Sequence, residues 1–155
     1  MPVTIRGSGQ LIVQIVNANL LTAASTTSTS PTSTGLTANI TPTSASNKIL
    51  VLVNGIGSHS ETNGNQGFFR MVRNSTNVDN QATSTIGGVT AAVVEGSRAR
   101  WPVNFSLYDS PATTSALTYT LQFWTTAGTA YLGRWGTDAN FTQTTNLTLL
   151  EISGT

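Results

Sequence analysis

The sequence predicts an all-β fold, an antiparallel two-sheet sandwich, jelly-roll-like, of about eight to ten strands. Three observations carry this. No segment keeps an apolar i, i+3, i+4 pattern over eleven residues, so no amphipathic helix is expected. Short apolar or alternating runs recur instead, separated by clusters of Gly, Pro, Asn, Asp, Ser and Thr. The 155 residues suffice for one core, and that many strands suffice for two packed sheets. A meander of hairpins is the alternative arrangement.

Residues 1–9 read as an N-terminal arm, because Pro2 and Gly7-Ser8-Gly9 oppose regular structure. Residues 10–155 form the single predicted domain. Its first strand is 10–18, QLIVQIVNA, with Leu11, Val13 and Ile15 on one face. Residues 20–34 drift into a Ser/Thr tract, read as an edge strand followed by a loop around Pro31. The most structured stretch is 35–57. Leu36, Ala38 and Ile40 alternate with Thr37, Asn39 and Thr41, the mark of a half-buried strand. Ile49–Val53 is continuously apolar, which suits a strand buried on both faces. The turn-forming residues 42–47 lie between, so the two arms are expected to form a hairpin.

Residues 58–66 read as an exposed loop, and 67–73 as a strand that returns through Asn74-Ser75-Thr76. After a polar loop come a strand at 89–95 and a turn beginning at Gly96. In 103–108, Val103, Phe105 and Leu107 point in and Tyr108 points out. Residues 109–112 form a turn. In 117–124, Leu117, Tyr119, Leu121 and Phe123 form the apolar face, leaving Trp124 outward with Thr118, Thr120 and Gln122. A short strand at 130–134, a loop at 136–145 and a final strand at 146–152 complete the chain.

Composition narrows the function. Charged residues make up 8% of the chain, against about 25% in ordinary domains. The net charge of +1 supplies no basic stripe for nucleic acid. With no cysteine there is no disulfide framework and no thiolate metal site. No cationic start followed by a long apolar core marks a signal peptide, and no run approaches the roughly 20 apolar residues of a membrane helix. Lys48 is the only lysine, although lysine is a common blocker of open sheet edges. Edges are therefore expected to be covered by a partner, by bulges or by the chain itself, with shielding by proline and threonine-rich loops as the alternative.

Catalytic patterns are weak. His59 and Glu61 form an isolated H-x-E in a chain with one histidine, read as a solvated loop. No nucleophile elbow and no phosphate loop occurs, and no spacing converges two acids for glycoside hydrolysis. The reading is a non-enzyme without cofactor or metal. Two polar-aromatic groups stand out: Arg98, Arg100 and Trp101, and Arg134 with Trp135. Guanidinium stacked on indole suits an interface or a sugar contact. The outward Trp124 suits a subunit interface or a ligand platform, with a bulge that returns it to the core as the alternative. Pro2, Val3, Ile5 and Arg6 are the candidate docking residues of the arm.

Several blocks taken together carry a resemblance. They are TGLTANITPTSASNKILVLVN, GFFRMVRNSTNV, FSLYDSPATTSALTYTLQF and LTLLEI. The chain resembles a β-sandwich module of tailed-phage virion proteins, of the marine and cyanophage-like kind, found in fibre-like proteins and capsid decoration proteins. The resemblance spans about residues 10–152, with Tyr108 intervening in one block. It implies a virion structural protein, most simply a capsid decoration (cement) protein. The implied partners are itself, as a homotrimer, and the major capsid protein or another virion protein. The alternative it implies is a tail-fibre or tail-tip module that binds host-cell glycan. Nucleic acid and membrane are not expected partners.

Overall fold

A computed structural model describes residues 11–60, 65–78, 90–93 (backbone only), 100–136 and 138–154. Among these, all regular structure is strand and all pairing is antiparallel.

One four-stranded sheet has the order β1 (Ile12–Leu20), β15 (Thr145–Ile152), β4 (Lys48–Asn54), β10 (Phe105–Asp109). A second contains β3 (Thr32–Ile40), β11 (Leu117–Thr125), β6 (Gln66–Arg73) and β7 (Thr76–Asn77) in that order, with β8 (Thr90–Val93) also on β6. A third has the order β2 (Ala24–Thr26), β12 (Ala130–Leu132), β5 (Ile56–His59), β9 (Arg100–Pro102). The pair β13 (Arg134–Trp135) and β14 (Asp138–Thr142) stands by itself. The expected fold class holds as all-β and antiparallel, but the strands divide among four sheets rather than two, and they are more numerous than expected.

The third sheet continues the first end to end. β1 leads into β2, β4 into β5, and β9 into β10, while the remaining position passes from β15 to β12. The break lies at Gly55 and Gly133. A Cβ on Gly55 would stand 2.6 Å from Thr145 Cγ2, so the strands approach too closely there for a side chain. Gly133 has φ +70, left-handed backbone that favours glycine. The backbone groups freed at the break are recovered: Asn104 accepts from Gly55 N–H at 3.0 Å, and Gly133 N–H donates to Ile56 carbonyl at 2.8 Å. The residues between β12 and β15 leave the sheet here as the β13–β14 excursion, where the sequence reading expected a strand ending at 134 and then loop from 136 to 145.

The inner faces meet in one core. Ile49, Val51, Val53, Leu147 and Leu149 come from the first sheet. Leu36, Ala38, Ile40, Met71, Leu117, Tyr119, Leu121 and Phe123 come from the second. The predicted alternation of β3, β10 and β11 places these side chains as expected. The predicted hairpin of 35–57 does not form. β3 pairs with β11 and β4 with β15 and β10, so the intervening turn is a crossover between sheets.

That crossover is pinned by Glu151, fully buried on β15. Its carboxylate accepts from Asn47 Nδ2 at 2.6 Å, Thr43 N–H at 2.7 Å, Thr43 Oγ1 at 2.9 Å, and Gln14 Nε2. Burial pushes this carboxyl up, but the bonds from Asn47, Gln14 and Thr43 outweigh it and hold it below its ordinary range. A second polar bridge joins the sheets. Arg73 on β6 pairs with Asp109 on β10, and the buried Tyr119 hydroxyl donates to Asp109 at 2.6 Å.

Candidate functional site

The expectation that β4 is buried on both faces fails, and the failure exposes a surface. Ile49, Val51 and Val53 point into the core, but Leu50 is half-buried and Leu52 exposed on the other side. Register places Leu50 directly between Leu150 of β15 and Tyr108 of β10, and Leu150 opposite Ile15 of β1. One apolar row, Ile15–Leu150–Leu50–Tyr108, therefore crosses all four strands. Its ends are the most open, with Ile15 60% and Tyr108 62% exposed. Leu52 extends the row on one side, and Ile12 opposite Ile152 on the other. A register shift between Ile12 and Gln14 allows this, turning Gln14 inward to Glu151. Lys48 is the one charged residue on the face among the described residues.

A polar border adjoins the row. Asn17 Nδ2 donates to Thr148 Oγ1 at 2.9 Å, and Thr148 Oγ1 to Asn146 Oδ1 at 2.9 Å. Asn146 Nδ2 then donates to Asn19 Oδ1 at 2.8 Å, and Asn19 Nδ2 to Asn17 Oδ1 at 3.2 Å. The four side chains close a ring of hydrogen bonds across β1 and β15. An apolar centre beside a polar margin is the anatomy of a protein interface.

The outer face of the second sheet differs. Thr37 pairs with Thr120, and Thr118 donates to Asn39 at 2.7 Å, so its β3–β11 half is polar and self-satisfied. Its β11–β6 half carries Trp124 on the outward side, as its spacing predicts, but not at the surface. Trp124 is only 4% exposed, stacked on Phe68 at 5.2 Å, with Arg70 over its ring. Trp124 is therefore a packed residue and not the contact the sequence reading proposed.

The two arginine–tryptophan groups come together, though not as sequence neighbours. Arg100 stacks on Trp135, its guanidinium 3.8 Å from the ring centroid, rather than on Trp101. Arg134 lies over Tyr131 at 4.6 Å. Trp101 is buried against Gly57 and Gly67, whose missing side chains make its room. It too leaves the list of contact residues. Arg100, Arg134 and Trp135, with Ile56 and Phe141, line a depression of about 330 Å³. Pro2, Val3, Ile5, Arg6 and Arg98 lie outside the described residues.

His59 is fully buried at the end of β5, and its Nε2 lies 2.8 Å from Thr125 Oγ1. The solvated loop expected around it is, at this residue, packed strand. Glu61, its suggested partner, lies outside the described residues. Among the described residues no cluster of three His, Cys, Asp or Glu converges on a metal-sized space. No helix of the described residues is long and apolar enough to cross a membrane.

The apolar row escaped the sequence reading because Ile49–Val53 looks the same whether its second face is covered or open. The clue available was Tyr108, an outward aromatic in an otherwise clean alternation. No protein-family model and no curated protein matches this chain.

Proposed function

We propose that this chain is a non-enzymatic structural protein of a tailed-phage particle, a capsid decoration protein that holds its place by burying the outer face of the first sheet against further copies of itself. The observation that carries the reading is the row Ile15–Leu150–Leu50–Tyr108 with its flanking Ile12, Ile152 and Leu52. The virion setting rests on the sequence resemblance. In the same reading the two in-line sheets form one layer of a sandwich and the second sheet the other.

Further copies of the chain fit this face for two reasons. The face is nearly free of charge, so like faces meet without repulsion and without desolvating ions. Its size is also adequate. The four strands are nine, eight, seven and five residues long, and at about 4.8 Å apart and about 3.3 Å per residue they present roughly 450 Å². Three such faces meeting round a three-fold axis bury about 1,350 Å² in total, within the range of specific interfaces. An exposed apolar patch bordered by polar residues is also the kind of surface that marks an interaction site. The resemblance favours three copies, an arrangement that suits a decoration protein at a three-fold position of the shell.

Antibody labelling of intact particles by electron microscopy tests the virion assignment. Uniform labelling over the capsid is the expected result. Labelling confined to the tail, or absent from particles, overturns it.

A further inference from the structure

The arginine–tryptophan depression plays no part in that reading, yet it has the features of a ligand site. It lies where the first and third sheets break, between β5, β9 and the β13–β14 excursion. Its 330 Å³ hollow shares Ile56, Arg100 and Gln143 with an adjoining one of about 440 Å³. Both fall in the range of small-molecule sites.

Three kinds of group converge there. Arg100 is exposed, and Trp135 covers one face of its guanidinium. An aromatic ring over the face of a guanidinium does not use its in-plane N–H donors, the fork that receives a carboxylate. Arg134 lines the same hollow. Phe141 is braced against Trp135 at 4.9 Å and yet 55% exposed, so an aromatic ring is held rigid and open. The margin carries the amide side chains of Asn54, Asn104 and Gln143, each pairing a donor group with an acceptor as sugar hydroxyls require.

We propose that this double hollow binds an acidic saccharide, with the sugar carboxylate on Arg100, the apolar face of a pyranose ring on Phe141, and hydroxyls on the amides. A nucleic acid fits poorly, since a chain of net charge +1 lacks the cationic track a phosphate backbone needs. A simple anion has no use for the braced aromatic ring. The site rests on its own residues and not on the virion assignment.

Calorimetry and tryptophan fluorescence of the full chain with trigalacturonate test it, with maltotriose and inorganic phosphate as comparisons. Saturable trigalacturonate binding is expected, about tenfold or more tighter than maltotriose. Arg100→Gln and Phe141→Ala should each weaken it about tenfold, with unchanged circular dichroism. Both side chains are exposed, so neither change threatens folding. The proposal fails if no saturable binding occurs, if both variants bind as the parent does, if maltotriose binds equally, or if phosphate displaces the sugar at matched concentration. Mass measurement of the same samples keeps this outcome separate from the self-association of the sheet face.

Discussion

Asn47 donates to Glu151 across 2.6 Å and so ties the crossover between the two main sheets to the last strand of the chain. Glu151 is fully buried and takes three further hydrogen bonds from Gln14 and Thr43. An ionised carboxylate among that many donors is stabilised over its neutral form despite burial.

Glu151→Gln should therefore cost about 2 kcal/mol in urea unfolding, since an amide matches the shape but cannot accept at both ends. The pH dependence follows from the lowered carboxyl. Above the ordinary value of 4.5 the contribution is fully present. As pH falls below that value and through the lowered folded value it is lost. The parent should weaken progressively in acid, and Glu151→Gln should show a smaller acid slope.

The bridge Arg73–Asp109–Tyr119 makes the opposite prediction at high pH. Burial, and then the hydrogen bond to Asp109, raise the Tyr119 hydroxyl above its ordinary value of 10.0. A raised value means the contribution is present below about 10 and lost as pH rises beyond it. Tyr119→Phe should remove about 1 kcal/mol at neutral pH and flatten the alkaline loss. Asp109→Ala should cost more, about 3 kcal/mol, because it leaves the partly buried Arg73 without its ion pair. Thermal melts from pH 7 to 11 check both.

Gly55 sets the break between the in-line sheets. Gly55→Val should destabilise by about 2 kcal/mol or more, because its first carbon meets the Thr145 side chain at 2.6 Å. The companion Thr145→Ala should recover part of that loss, and the double-mutant cycle measures how much.

Trp124 separates packing from contact. Trp124→Ala should cost about 3 kcal/mol or more in stability, by vacating the stack with Phe68. It should leave the assembly state of the folded protein unchanged at concentrations where the variant remains native. Loss of assembly without loss of stability would return Trp124 to the surface.

Much of this architecture is legible in the residues. Leu36, Ala38 and Ile40, and Leu117, Tyr119, Leu121 and Phe123, announce their inward faces through period-two alternation. Partner choice is not legible, because alternation fixes a face and not a neighbour. That is why 35–57 reads as a hairpin while β3 and β4 join different sheets. The excursion 138–142 reads as loop because DANFT lacks a patterned apolar face, and all five residues prove exposed. The guanidinium stack was legible in kind but not in pairing. Arg100 next to Trp101 invites a local contact, yet strand alternation sends Trp101 into the core and Arg100 out toward Trp135.

The central claim is that the row from Ile15 to Tyr108 is buried between copies of this chain. Native mass spectrometry of the parent beside Ile15→Lys/Tyr108→Lys tests it most directly. Both residues are more than half exposed in the single chain, so the double variant should fold, which circular dichroism verifies. The parent should appear as a trimer and the folded double variant as a monomer. A monomeric parent, or a variant that assembles as the parent does, would contradict the account.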